Sequence, residues 1–395
     1  MKKTITFLLS LFLILSGLNA GLAETAQTGN SNGYTYTVLE DGSACITRCL
    51  LGGDLTIPDQ LDGHPVTVIG EQSFDRNQEL EKLTIPEGVT AIGSHAFYWC
   101  GNLTEVSIPY SLVTMGVNPF DMCSSLTTFS VPKDHPVFEV KSGVLFNKTE
   151  KILICYPQTR KSGSYSVPNG TLHIGDSAFC SGNEFLKSIS FPGSLLTIGE
   201  DAFHSCFYLK GALKLPAKLQ SVGKGAFALC DHLSALSIPE TLTEIGEMAF
   251  MGCEIKKITL AKNNPSYQLI DGVLFTADGK TLVYYPCMRP GEVYDVPEGT
   301  EKLMSGSFYW VQYLTELNIP EGVKSIGDYV VYVCYTISRV SLPASVEEIG
   351  ESSLEGQPED FVVTVPAGSY AEQWCRNKTY LHNGNWSYRL NYQVR

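Results

Sequence analysis

The twelve cysteines are the residues best suited to chemistry in this chain, because a thiolate can attack an electrophile, bind a metal or form a disulfide. Six of them share one register of a repeating pattern: Cys100, Cys123, Cys206, Cys230, Cys253 and Cys334. Side chains in one register point the same way, which disfavours the dihedral angle of a disulfide between neighbours. We therefore expect a ladder of buried free thiols, with disulfides between stacked neighbours as a weaker alternative. A metal site is weaker still, since no C-x-x-C pair or flanking histidine supports one. Cys45 and Cys49 lie outside this register and could form a local bridge.

Sequence patterns of the common catalytic sites are missing or incomplete. The seven histidines are scattered, and neither H-E-x-x-H nor G-x-S-x-G occurs. The run from Gly272 to Thr281 ends like a phosphate-binding loop, but its glycines are seven positions apart, which favours a hairpin turn. The carboxylates are expected in solvated turns rather than facing each other across a cleft, as they would in a glycosidase. The sequence accordingly predicts a chain that is not an enzyme, with no catalytic residues, cofactor or metal.

These residues belong to an internal repeat. Residues 92–109 read I-G-x-x-A-F-x-x-C-x-x-L-x-x-V-x-I-P. The Ile-Gly mark or a variant of it recurs at intervals of 23 or 24 residues, with two longer gaps of 59 and 58, at Ile69, Ile92, Met115, Ile174, Ile198, Val222, Ile245, Leu303, Ile326 and Ile349. A period of this length is typical of a solenoid.

Two insertions, at about residues 133–168 and 261–297, account for the longer gaps. Six positions of the first recur 129 residues later in the second, which implies duplication of a larger block: Pro136, Gly143, Phe146, Tyr156, Tyr165 and Pro168. Apolar and polar residues alternate around Asn147-Lys148 in one insertion and Asp278-Gly279 in the other. This pattern predicts a β-hairpin that protrudes from each insertion.

Each repeat predicts one coil of the solenoid. Val106 and Ile108 alternate with Glu105 and Ser107, as in a strand with one buried face, and Pro109 ends that strand. The glycine of the Ile-Gly mark permits a tight turn, and the Ala-Phe pair is expected on a short helix or helical turn. One coil cannot bury its apolar face alone, so we expect stacked coils with a parallel β-sheet whose strands lie about 4.8 Å apart.

The I-G-x-x-A-F-x-x-C-x-x-L framework and the inserted G-V-L-F hairpins resemble the BspA-like leucine-rich repeat family of secreted and surface bacterial proteins, over about residues 55–366. The resemblance implies a right-handed repeat solenoid with a parallel β-sheet on its concave face and short helices or turns opposite. It also implies an N-terminal cap at 34–68, a solenoid at 69–366, and a C-terminal cap and tail at 367–395. Family members are described as adhesins or host-interaction proteins, which implies a binding role without naming a ligand.

The N-terminus has the features of a secretion signal. Lys2 and Lys3 precede a short apolar stretch and a small-residue cleavage site, so we expect a signal peptide over 1–23 and a flexible polar leader over 24–33. No C-terminal sorting signal is evident, which favours an extracellular or loosely surface-associated bacterial protein. The net charge of −13 disfavours nucleic acid and membranes as partners, and we expect a monomer.

Two surfaces are candidate binding sites. The outward positions of the long strands form a small, polar strand face, expected to bind a host or cell-surface protein: Lys82, Thr84, Glu105, Ser107, Thr128, Ser130, Ser188, Ser190, Lys214, Ser237, Lys257, Thr259, Glu316, Asn318, Arg339 and Ser341. Aromatic residues after the Ala-Phe position form a candidate aromatic edge, with one residue of each pair expected to pack between coils: Tyr98, Trp99, Tyr208, Tyr309, Trp310 and Tyr332. This edge would suit a glycan or cell-wall polymer, since aromatic rings stack on sugars. A hydrolase is a distant third reading.

Overall fold

The computed structural model describes residues 27–179, 184–382 and 386–395, so the predicted signal peptide lies outside the described residues. The chain divides into two compact units, Met1–Lys161 with His173–Asn183 and Ser162–Leu172 with Glu184–Arg395. Both units are built almost entirely from short strands and turns, and the strands of successive repeats pair in parallel. The prediction of a repeat solenoid with parallel sheets is confirmed.

The strands are short because each coil turns several times within one repeat. Up to the end of the first insertion they are β1 (Thr28–Ser31), β2 (Tyr34–Val38), β3 (Ala44–Cys49), β4 (Gly53–Thr56), β5 (Gln60–Leu61), β6 (His64–Ile69), β7 (Leu80–Thr84), β8 (Ala91–Ile92), β9 (Glu105–Ser107), β10 (Thr114–Met115), β11 (Thr128–Ser130), β12 (Phe138–Lys141), β13 (Val144–Asn147), β14 (Ile152–Cys155) and β15 (Ser164–Ser166). Those that follow are β16 (His173–Ile174), β17 (Ser188–Ser190), β18 (Thr197–Ile198), β19 (Gly211–Lys214), β20 (Ser221–Val222), β21 (Leu233–Ile238), β22 (Glu244–Ile245), β23 (Lys257–Leu260), β24 (Tyr267–Ile270), β25 (Val273–Thr276), β26 (Thr281–Tyr284), β27 (Val293–Asp295), β28 (Lys302–Leu303), β29 (Glu316–Asn318), β30 (Ser325–Ile326), β31 (Arg339–Ser341), β32 (Glu348–Ile349), β33 (Val362–Val365), β34 (Thr379–His382), β35 (Trp386–Arg389) and β36 (Tyr392–Val394).

The long strands of the repeats stack as predicted. In the first unit β4, β7, β9 and β11 lie side by side, with Lys82 opposite Glu105 and Leu83 opposite Val106. In the second unit β19 pairs with β21 and β21 with β23, and a further sheet runs β27-β29-β31-β33-β36. Leu83 and Val106 are buried while their neighbours face solvent, so the apolar residue of each strand joins one continuous core.

The glycine of the Ile-Gly mark is required by the close approach of neighbouring coils. The short strands β6, β8 and β10 pair in parallel and end at this position. A Cβ atom on Gly93 would lie 2.4 Å from the backbone nitrogen of Glu71, and one on Gly246 would lie 2.3 Å from that of Lys224. Because the obstructing atoms are backbone atoms, a side chain there would push two coils apart.

The Ala-Phe segment is a turn rather than the short helix that was one of the two expectations. His95 and Trp99, on either side of Phe97, have positive φ angles of 52° and 56°, which a helix cannot contain. The amide of Phe97 donates to the carbonyl of Pro119 at 2.8 Å, and that of Trp99 donates to Asp121 at 2.9 Å. These bonds join one coil to the next, whereas helical bonds would close within the segment.

The insertions contain the predicted hairpins, but the hairpins do not protrude. In the first, β12, β13 and β14 are antiparallel and β14 then pairs in parallel with β16; in the second, β24, β25 and β26 repeat this arrangement and β26 pairs with β28. Phe146 and Phe275 are 3% and 0% exposed. The inserted strands are apolar enough to be drawn into the core, so each insertion extends the sheet instead of standing outside it.

A buried polar residue closes the start of each insertion, and the two insertions use different ones. His135 is fully buried; its Nδ1 accepts from the amides of Val137 (3.1 Å) and Phe138 (2.9 Å), and its Nε2 lies 3.1 Å from the carbonyl of Pro109. At the position 129 residues later, Asn264 accepts from two amides through its side-chain oxygen and donates to the Pro239 carbonyl at 2.8 Å. Imidazole and carboxamide therefore make the same three-way cap.

The ends of the chain add to the sheets. Residues 28–31, predicted to be part of a flexible leader, form β1, which pairs antiparallel with β2; four backbone-paired positions suffice for a polar edge strand. Helix α1 (Tyr370–Asn377), the one helix among the described residues, starts at the N-cap Ser369. Beyond it, β36 pairs in parallel with β33. No helix in the described part of the chain is both long and apolar enough to span a bilayer.

Candidate interaction surfaces

The cysteine ladder consists of buried thiols that donate hydrogen bonds to the backbone. Cys100 donates to the carbonyl of Phe74 at 3.2 Å, and Cys334 donates to that of Phe308 at 3.1 Å, one coil earlier in each case. Burial raises the pKa of Cys334 to about 12. All the cysteines among the described residues are unpaired, including Cys45 and Cys49, so the predicted ladder of free thiols is confirmed and the alternative of a local bridge is wrong. Thiols held neutral in this way are poor nucleophiles and poor metal ligands.

The hollows of the two units are too small for a substrate. One, beside Asn118 and Cys155 in the first unit, has a volume of about 10 Å³, and another, beside Met251 and Ser305 in the second unit, is the same size. Each has room for roughly one water molecule. Within the described ranges, no three His, Cys, Asp or Glu side chains are grouped as they would be around a metal ion. The described surface therefore offers contacts along its faces rather than an enclosed site.

The strand face of the first unit is flat and polar. Its predicted residues Lys82, Thr84, Thr128 and Ser130 are exposed, while Glu105 and the neighbouring Ser107 are half-buried. Lys82 forms an ion pair with Asp54 at 3.2 Å, which raises the pKa of the lysine through the hydrogen bond to that carboxylate. An exposed pair of this kind contributes little to stability, so these side chains remain available to a partner.

The strand face of the second unit changes in character along the sheet. Its first part carries serines and lysines, and its last part carries Glu316, Asn318 and Arg339. Asn318 donates to Asp295 at 2.9 Å and to Glu316 at 3.2 Å, so this part holds a small polar network. The structure places all the predicted strand-face residues of this unit on the outward positions of β17, β19, β21, β23, β29 and β31: Ser188, Ser190, Lys214, Ser237, Lys257, Thr259, Glu316, Asn318, Arg339 and Ser341.

The candidate aromatic edge is divided between exposed and packed rings. Trp99 is 46% exposed beneath the guanidinium of Arg76, which lies 5.4 Å from its ring centre, and Tyr98 is half-buried. Tyr208 is 44% exposed. Tyr309, however, stacks on Tyr332 with ring centres 5.6 Å apart. Tyr309, Tyr332 and Trp310 are all half-buried. The six residues therefore do not form one continuous aromatic platform.

Three of the most exposed aromatic residues lie at positions that the repeat pattern did not indicate. Tyr110 is 52%, Tyr313 49% and Tyr335 68% exposed. Tyr110 follows the proline that ends a long strand, and the other two precede the leucine or isoleucine at the start of the next one. These are variable positions of the repeat, and a residue that is aromatic where other coils carry Ser, Asn or Gln is a signal that could have found them.

A parallel-stacked coil with alternating buried and solvent-facing strand residues defines a leucine-rich repeat protein. The model of the BspA type leucine-rich repeat region matches in six copies over residues 45–154, 153–269 and 285–366. The chain belongs to this family. Among curated proteins, none matches the chain.

Several solved structures of bacterial leucine-rich repeat proteins share the fold. A leucine-rich cell surface protein of Faecalibacterium prausnitzii is 22% identical, with a TM-score of 0.43, and the match covers 89% of this chain and 97% of that one. A leucine-rich repeat protein of Eubacterium ventriosum is 17% identical, with a TM-score of 0.44 and coverage of 87% and 73%. The pneumococcal vaccine antigen PcpA is 19% identical, with a TM-score of 0.38 and coverage of 87% and 82%.

Proposed function

We propose that this protein is an extracellular, non-catalytic scaffold that binds a protein partner through its strand face, and that it serves adhesion or contact with a host cell. The observation that carries the proposal is the regular alternation along the long strands. In β7, Leu83 enters the core while Lys82 and Thr84 face solvent, and β9 and β11 repeat this arrangement. The backbone beneath the face is held by inter-coil hydrogen bonds, so its side chains are presented in fixed columns.

A fixed surface favours binding because little conformational freedom is lost when the partner docks. The outward residues are mostly small and polar, with charges of both signs at Lys82, Glu105, Glu316 and Arg339. Such a mixture matches a partner by complementary hydrogen bonds and charges rather than by apolar burial. Family membership supports a scaffold role, and the name of one structural neighbour, a cell surface protein, supports an extracellular location.

The test is capture of partners by the mature chain from Glu24 onward. One arm presents host epithelial and matrix proteins, and the other presents purified bacterial wall and glycans. The proposal predicts saturable capture of a host protein that is lost when Glu316 and Arg339 are replaced by serine. A matched control replaces Glu348 and Lys324, which are exposed at and beside the short strands, by serine. Equal loss in the control variant, or capture in the glycan arm alone, contradicts the proposal.

A further inference from the structure

Five lysines gather on one side of neighbouring coils in the second unit: Lys187, Lys210, Lys214, Lys256 and Lys257. The amide of Lys210 donates to the carbonyl of Lys187 at 3.0 Å, which makes these residues neighbours across two coils. In the strands that follow, Lys214 lies opposite Ser237, and Ala235 lies opposite Lys257. Parallel strands are about 4.8 Å apart, so the five ammonium groups are presented within a few coil widths.

These lysines carry open charge in a chain whose net charge is −13. Lysines elsewhere are neutralised: Lys280 pairs with Glu301 at 2.7 Å and Lys302 with Glu247 at 3.3 Å. Within the described residues, none of the five has a carboxylate within 4.0 Å, and all five are exposed. Several carboxylates of the same coils lie on the opposite side, at and beside the short strands, as Glu244 and Glu247 do. Charge is therefore segregated between the two sides of these coils.

Exposed aromatic rings border the lysines. Phe185, Phe207 and Tyr208 are 37%, 42% and 44% exposed. Phe185 lies two residues before Lys187, and Tyr208 lies two residues before Lys210, with a buried leucine between them in each case. The serines of β17 add hydroxyl groups, and Ser190 donates to Ser166 at 2.9 Å. We call the five lysines and three aromatic residues the lysine–aromatic patch.

We propose that the lysine–aromatic patch binds a linear sulfated polysaccharide. Sulfate groups along such a chain accept hydrogen bonds from ammonium and hydroxyl groups, while the faces of the sugar rings stack on phenylalanine and tyrosine. Charges repeated from coil to coil suit a polymer whose charges also repeat. An acidic protein would need buried anchor residues in pockets, and this flat, regular surface offers none among the described residues. The proposal goes beyond protein binding by the strand face and assigns part of that face to a second kind of ligand.

Neighbouring coils provide substitutions that the fold already accepts. Lys210→Ser, Lys214→Ser and Lys257→Ala copy Ser234, Ser237 and Ala235 from the intervening coil. A control with the same change of charge replaces Lys133, Lys161 and Lys324, which are exposed elsewhere, by serine. A third variant, Phe207→Ser with Tyr208→Ser, removes the rings and keeps the charge. Each would be measured as the full mature chain on immobilised heparin over a series of salt concentrations, after circular dichroism has shown that it is folded.

The triple-lysine variant should bind heparin about tenfold or more weakly and depend less on salt, while the control should match the wild type. The ring variant should bind more weakly with its salt dependence unchanged, because stacking involves no ion pairing. Equal losses in the lysine and control variants, or equal binding to desulfated heparin or to polyglutamate, would overturn the proposal. A lysine variant that loses heparin but still captures a host protein separates this proposal from the one on the strand face.

Discussion

Replacing His135 by asparagine should remove a pH-sensitive contact from the first insertion without harming it at neutral pH. The two amide donors on Nδ1 require that nitrogen to be unprotonated, so the proton of the neutral ring resides on Nε2, facing the Pro109 carbonyl. Burial is the main reason that the pKa of His135 is lowered from 6.5, and Lys148 lowers it further, while the Pro109 carbonyl and Glu87 oppose the shift. A protonated ring would direct N–H toward two other N–H groups.

The sign of the pH effect follows from this lowered pKa. Below pH 6.5 the unfolded chain takes up a proton at His135 more readily than the folded chain does, so stability falls as the pH drops toward the folded-state pKa, and no such loss occurs above pH 6.5. One titrating group can change the free energy of unfolding by at most about 1.4 kcal/mol per pH unit. His135→Asn copies Asn264 and should flatten this slope, with a change below about 1 kcal/mol at pH 7.5. His135→Ala leaves the Val137 and Phe138 amides without their acceptor and should cost about 3 kcal/mol at any pH.

Hydrogen exchange of a peptide spanning residues 133–141 is the suitable assay, because repeat proteins can open locally. Wild type should exchange faster at pH 5.5 than at pH 7.5, after correction for the intrinsic rate, and His135→Asn should not. His173 also has a pKa lowered by burial, so the difference between the two proteins isolates His135. Asn264→His offers the reciprocal test, since it should bring pH dependence to the second insertion. An unchanged pH slope in His135→Asn would refute the reasoning.

Two further predictions concern the stack itself. Gly93→Ala should lower the free energy of unfolding by about 1 to 3 kcal/mol, because the added Cβ meets the Glu71 backbone nitrogen at 2.4 Å; chemical denaturation measures this, and Gly42→Ala, where a Cβ meets nothing within 4 Å, controls for the loss of glycine at positive φ. The native protein should react slowly with a thiol reagent at pH 8 and rapidly once unfolded, since burial raises the pKa of Cys45 to about 11 and of Cys334 to about 12. Prompt labelling of Cys334 in the folded state would show that the ladder is open to solvent.

The repeat period allowed the strands, their parallel pairing and the buried cysteines to be predicted, because a fixed interval forces equivalent residues into the same environment. The alternation of Val106 with Glu105 and Ser107 was enough to separate core from surface. The turns around Phe97 were harder to predict. Their hydrogen bonds run to the next coil, and no local pattern distinguishes such a turn from one turn of helix.

Surface properties were less accessible from the sequence. Tyr309 and Trp310 look like Tyr98 and Trp99 in the repeat, yet only Trp99 is exposed, because Tyr309 finds Tyr332 as a stacking partner in the following coil. Exposure here depends on which residue the neighbouring coil happens to carry. The same holds for the cap of each insertion, where the roles of His135 and Asn264 became comparable only once their partners were known.

The way in which each insertion joins its sheet bears on how a chain of this kind can lengthen. Strands β14 and β26 pass their parallel pairing on to the next short strand, so the added residues leave no unpaired edge behind them. A gene segment that encodes such a block can therefore be copied within the reading frame, and each copy meets the interface that it needs on both sides. The recurrence of six residues at an interval of 129 is the expected trace of that event. Growth by whole blocks changes the number of surface columns while the interior of each coil stays the same, so the reach of the protein and its stability can evolve separately.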